Sequence, residues 1–87
     1  MVIMELKEIS IKVIYYAIFR EQAGKSNETF TTLSGNAEEL YHELATKYKF
    51  SLSDDIVRVS INNEYVSFNA HLNDGDEVIF IPPVAGG

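Results

Sequence analysis

The sequence predicts an α+β domain in which one main helix lies across one face of a mixed sheet. Three observations predict it. Residues 9–13 and 57–61 alternate apolar with polar types, the period of a half-buried strand, and 77–81 is a short apolar run with Val78 and Phe80 on one face. Residues 36–48 repeat apolar types at three- and four-residue spacing, the period of an amphipathic helix. At 87 residues and 46% hydrophobic content, the chain can fill one small core and no more.

The first strand is read over 9–17, with Ile9, Ile11, Val13 and Tyr15 on one face and Ser10 and Lys12 on the other. Residues 19–27 carry Gly24 and read as a turn or short helical loop. Threonines at 29, 31 and 32 suggest a second strand over 28–33. Asn36 is a suitable N-cap, and Glu39 three residues on completes a capping-box-like pattern. Behind it Ala37, Leu40, Tyr41, Leu44, Ala45 and Tyr48 form one stripe that needs a sheet to lie on. Residues 51–55 are a polar connection.

Strand pattern resumes at 56–61, with Val57, Val59 and Ile61 on one face. Asn62-Asn63 suits a hairpin turn, because Asn tolerates positive φ, and 64–68 is a short returning strand. Asp74-Gly75-Asp76 makes a tight turn into the last strand, 77–81, which Pro82 ends because it cannot donate to a ladder. The order is strand, strand, helix, strand, short strand, strand. It is compatible with the first and last strands side by side at the centre. Residues 1–81 form the domain and 82–87 an extended tail.

If the helix covers one sheet face, the other should be polar. Ser10, Lys12, Arg58 and Ser60 fit, but Ile14, Tyr16, Tyr65, Ile79 and Ile81 fall out of phase with the core positions. They predict an apolar patch on the uncovered face, a partner surface beside the departing tail.

Composition excludes several classes. A net charge of −6 repels nucleic acid and anionic membranes, and suits either simple solubility or a partner with a basic pocket. No apolar run approaches the roughly 20 residues of a membrane helix. The N-terminus lacks a signal sequence's basic start, so the chain reads as cytoplasmic. There is no Cys, hence no disulfide and no thiol nucleophile. With two His and no Cys, no metal site is expected, and His42 reads as solvated. Asp54-Asp55 and Asp74-Asp76 read as turn residues, and Asp74-Gly75-Asp76 is too short for a calcium loop. Lys25-Ser26 lacks phosphate-loop spacing.

The end, "IPPVAGG", is the remaining motif. Pro82-Pro83 stiffen the chain, and Val84, Ala85, Gly86 and Gly87 then shrink in size. Residues 82–87 at about 3.4 Å each reach ~20 Å from the sheet. A tip without β-carbons can thread a channel that larger residues would block. Its reactive group is the α-carboxylate of Gly87, a poor electrophile until adenylated.

The strand and helix order, together with "FREQAG", "DGDEVIFIPP" and "VAGG", resembles the β-grasp sulfur carriers, which are ubiquitin-like. Within them it is most similar to the small-subunit family of molybdopterin synthase, over about residues 11–87. The resemblance implies a non-catalytic, sulfur-donating subunit for molybdenum cofactor biosynthesis. An adenylating, ubiquitin-activating-like enzyme would use ATP and Mg²⁺ to activate Gly87, and a sulfur donor would convert it to a thiocarboxylate. The large synthase subunit would receive the tail, in a two-plus-two heterotetramer. This chain itself would bind no cofactor. Gly86 and Gly87 would carry the chemistry. Tyr16, Arg20, Tyr65, Ile79, Ile81, Pro82, Pro83, Val84 and Ala85 would meet the partners. A ubiquitin-like protein modifier, or a carrier for thiamine, cysteine or tRNA thiolation, is the alternative. Residues 1–8 precede the family's usual start. They read as a flexible extension, as a longer first strand, or as leader to a start at Met4.

Overall fold

The computed structural model describes residues 7–83. The expectations for residues 1–6, and for Val84, Ala85, Gly86 and Gly87, lie outside the described residues.

Five strands make one mixed sheet: β1 Ile9–Ile14, β2 Asn27–Thr32, β3 Arg58–Ile61, β4 Glu64–Val66 and β5 Glu77–Ile81. Their spatial order is β2-β1-β5-β3-β4. The first and last strands lie side by side and parallel, with Val13 opposite Val78. The other pairings are antiparallel, setting Ile11 opposite Phe30, Val59 opposite Phe80 and Ser60 opposite Tyr65. Parallel neighbours need a long crossover, and the chain supplies one that includes α2, Ala37–Tyr48.

One face of the sheet is closed. Ile11, Val13, Val59, Val78 and Phe80 from the strands meet Leu40, Tyr41 and Leu44 from α2 in one buried cluster. Aromatic rings dominate its centre. Tyr41 stands edge-on to Phe80 at 5.2 Å and to Phe19 at 6.0 Å between ring centroids, a preferred geometry for aromatic pairs.

The start of α2 follows its capping signal. The Asn36 side chain accepts from the Glu39 N–H at 2.9 Å, while the Glu39 carboxylate accepts from the Gly35 N–H at 3.2 Å. Two more free N–H groups of the first turn, on Ala37 and Glu38, donate to the carbonyls of Ala70 and Phe68. That use of Phe68 and Ala70 explains a correction. The strand expected over 64–68 stops at Val66, and the following backbone caps α2 instead.

Four other expectations change. Strand β1 ends at Ile14 rather than at 17, and the short helical alternative read over 19–27 is the one that forms, as α1, Ala17–Ala23, starting two residues earlier. Gly24 closes it at φ 76, the left-handed conformation that glycine adopts without penalty. Strand β3 starts at Arg58 rather than Ile56, because Asp54–Ile56 forms a 3-10 turn. Strand β2 spans Asn27–Thr32 rather than 28–33, leaving Leu33 exposed beyond it. Lys7 and Glu8 lie before β1 and do not lengthen it. The Asn62-Asn63 hairpin forms as read, with both φ angles positive at 52 and 70.

Candidate functional site

Among the described residues, the second face of the sheet carries no helix. Strand alternation decides which side chains stand there. Tyr65, Ser60 and Ile79 occupy one cross-strand row, and Arg58 and Ile81 the next. Tyr16, the residue before α1, is 51% exposed and Tyr65 is 76% exposed, while Ile14, Ile79 and Ile81 are half-buried.

Two shallow grooves run over this face and share Tyr65, Ile81 and Pro82. One, about 370 Å³, is lined by Tyr16, Ser60, Asn63 and Ile79 beside the shared residues. The other, about 680 Å³, continues along Ile56, Arg58 and Pro83. The second groove therefore reaches Pro83, the root of the tail. Its walls are apolar, with Arg58 the charged side chain among them. An extended apolar segment with one carboxylate would match this surface.

Of the residues singled out from sequence, the structure brings Tyr16, Tyr65, Ile79, Ile81, Pro82 and Pro83 together. Arg20 is exposed one turn along α1 from Tyr16 and lines neither groove. Val84, Ala85, Gly86 and Gly87 lie outside the described residues.

Ser60 differs from expectation. It is a polar residue on the uncovered face, as read, yet is only 6% exposed. It is short, and the larger Tyr65 and Ile79 flank it on the neighbouring strands. Ile56, Arg58 and Asn63 were not picked out as site residues. Arg58 joins the groove because β3 pairs it with Ile81, a register that sequence alone does not supply. Ile56 is large, apolar and 48% exposed, and that is a signal only once its strand is known to begin later.

Backbone geometry helps present Tyr16. Its own φ and ψ are extended, and Ala17 turns the chain into α1 with φ 51. A positive φ is costly for a residue with a β-carbon. The kink leaves Tyr15 in the core and Tyr16 outside it. Asn63, also at positive φ, turns the hairpin at the other side of the groove.

Titration is perturbed on the covered side instead. Burial first, and then the Glu28 carboxylate, push the Tyr15 hydroxyl well above its ordinary range. Burial and nearby Asp54 push Tyr41 up to about 12. Both phenols therefore stay neutral donors at physiological pH. Tyr15 donates to Glu28 at 2.5 Å and Tyr41 to the Leu52 carbonyl at 2.6 Å. Neither tyrosine lines the grooves, so these shifts serve the fold. His42 is exposed as expected, but its Nε2 meets Asp54 Oδ2 at 2.7 Å. Among the described residues no helix is long and apolar enough to cross a membrane.

Residues 13–87 match the ThiS family. The chain is 35% identical over 80 residues to the molybdopterin synthase sulfur carrier subunit of Escherichia coli, covering 88% of this chain and 99% of that one. A solved structure from Pyrococcus furiosus, described as a candidate molybdopterin converting factor subunit 1, superposes with a TM-score of 0.72. It is 32% identical and covers 87% of this chain and 99% of its own. The small archaeal modifier protein 1 of Methanosarcina acetivorans superposes with a TM-score of 0.74 at 23% identity, covering 93% and 99% of the two chains. This last likeness shows the β-grasp fold alone.

Proposed function

The chain belongs to the ThiS family, and we propose that it is the sulfur carrier of molybdopterin synthesis, working as the small subunit of the synthase. The observation that carries the reading is the match itself, which runs from Val13 to Gly87 and so includes the diglycine. The apolar groove ending at Pro83 supports it, because a carrier must be gripped close to its reacting tip.

In this reading the Gly87 carboxylate attacks the α-phosphorus of ATP on an adenylating enzyme that also holds Mg²⁺. Pyrophosphate leaves and an acyl-adenylate forms. Sulfur delivered at the hydrosulfide level then attacks the acyl carbon and displaces AMP, leaving a thiocarboxylate. A carboxylate resists nucleophiles, whereas the mixed anhydride with AMP carries a good leaving group; adenylation is therefore the step that makes sulfur transfer feasible. The tail enters the large subunit, where its sulfur attacks the pterin precursor, and two such transfers build the dithiolene. Gly86 and Gly87 add no β-carbon to obstruct a narrow entry. Tyr16, Tyr65, Ile79, Ile81, Pro82 and Pro83 form the docking face, and Val84 and Ala85 follow it in the sequence. The acid–base groups belong to the large subunit, and the sulfur transfer asks for no cofactor from this chain.

The test is charging. Incubation with the adenylating enzyme, ATP, Mg²⁺ and a sulfur donor should add about 16 Da, one oxygen replaced by sulfur. The charged chain should then co-purify with the large subunit and support dithiolene formation. An unchanged mass, under conditions that charge a known carrier, overturns the reading. Conjugates to lysine seen by intact mass, in place of sulfur transfer, would make the chain a protein modifier.

A further inference from the structure

Away from the grooves, three metal-ligating side chains converge. Glu38 and His42 stand four residues apart on α2, which puts them on one face of the helix. The 3-10 turn Asp54–Ile56 brings a third group to the same place. One ligand atom from each of Glu38, His42 and Asp54 lies within 4.8 Å of the others. We propose that these three residues form a binding site for a divalent transition ion of the zinc type, with water completing the coordination.

The donor set selects the ion. An imidazole nitrogen with two carboxylates suits zinc and its neighbours, whereas calcium and magnesium prefer oxygen ligands throughout. Two carboxylates and a neutral imidazole sum to a charge of minus two, which one divalent ion cancels. Three protein ligands and an open fourth position form a recognised zinc arrangement.

The geometry is close to what coordination needs. In a tetrahedral site with bonds of about 2.0–2.1 Å, neighbouring ligand atoms stand about 3.3 Å apart. His42 Nε2 and Asp54 Oδ2 are 2.7 Å apart, so they must open by about 0.6 Å while Glu38 draws in. Glu38 and His42 are exposed, and Asp54 is half-buried.

Asp54 also comes from a braced segment. The Tyr41 hydroxyl donates to the Leu52 carbonyl just before it. The Ile56 and Val57 N–H groups donate to the carbonyls of Ser53 and Asp54 and close the turn. Ser53 Oγ donates to Asp55, which engages that neighbouring carboxylate. Ile56 lies in the same turn and lines the larger groove. An ion held by Asp54 would therefore fasten the turn that carries one groove wall to α2.

The site should be tested on the untagged full chain by calorimetric titration with zinc sulfate, with magnesium and calcium chloride as parallel arms. One zinc ion per chain is expected, with no heat from magnesium or calcium. Cobalt(II) in place of zinc should give the visible absorption of a tetrahedral nitrogen and oxygen site. Loss of a second-shell partner costs a metal site about 10–100-fold, so His42→Ala and Asp54→Asn should each weaken zinc by at least about tenfold. His71→Ala should leave zinc binding unchanged. Wild-type chain that takes up no zinc below about 1 mM overturns the proposal, as does binding that survives both ligand variants or depends on His71.

Discussion

Tyr15 and Tyr16 are adjacent and chemically identical, yet one is 1% exposed and the other 51%. The same division separates Phe80, fully buried, from its half-buried neighbours Ile79 and Ile81. Strand alternation sends successive side chains to opposite faces of one sheet. The covered face takes α2 and becomes the core. The open face receives tyrosine and isoleucine at positions where a sheet facing water would gain nothing from them. Apolar side chains there do little for folding, so their presence calls for another explanation, and docking next to the tail supplies one.

The largest effect should come from the covered face. Phe80 is buried against Tyr41 and Phe68 at 5.2 and 6.1 Å between ring centroids. Removing such a ring costs about 3–5 kcal/mol, which is much of a small domain's stability. Phe80→Ala should therefore be largely unfolded or very easily unfolded in urea. A folded variant with an unchanged midpoint would mean that the two faces do not divide as described.

The open face should answer the other way. Tyr65→Ala removes a side chain that is 76% exposed, so the unfolding free energy from urea titration should change by no more than about 0.5 kcal/mol. Binding to the large synthase subunit should weaken by about 2 kcal/mol, roughly 30-fold, as for a central aromatic anchor. Paired measurement of stability and affinity sharpens the contrast. A variant that loses stability but keeps affinity would assign Tyr65 to the fold.

Sequence period makes much of this division legible. Ile11, Val13, Val78 and Phe80 lie on one face by counting alone, as do Tyr16 and Ile81 on the other. Counting fails where the backbone follows no common signal. Helix α1 begins at Tyr16 without a side-chain cap and passes through Ala17 at positive φ, so no start motif marks it. Arg58 meets Ile81 through strand register, and Ser60 is covered by neighbours from two other strands. Such contacts depend on pairing, which a single sequence does not fix. The i,i+4 spacing of Glu38 and His42 can be read off the helix, but the arrival of Asp54 beside them depends on how the polar connection folds, and residues 51–55 carry no signal of that beyond their turn composition.

The smallest effect tests the border between the faces. Glu28 lies at the edge of the sheet, where its Oε2 accepts from the hydroxyls of Tyr15 and Tyr48 at 2.5 and 2.6 Å. Burial works to raise this carboxyl group. The two hydroxyls, with Lys25 and Lys47 nearby, outweigh it and hold the group below its ordinary value of 4.5. A carboxyl depressed in the folded state contributes stability above its unfolded value, and loses that contribution as pH falls through the folded one. Glu28→Gln keeps the shape and an acceptor but removes the charge. It should cost about 1 kcal/mol at pH 7, and the gap to wild type should narrow as the pH is lowered past 4.5. Affinity for the large subunit should not change at pH 7, because Glu28 lines neither groove. A stability gap that stays constant as the pH falls from 7 to well below 4.5 would mean the charge of Glu28 is not what holds Tyr15 inward, and the separation of Tyr15 from Tyr16 would then rest on packing alone.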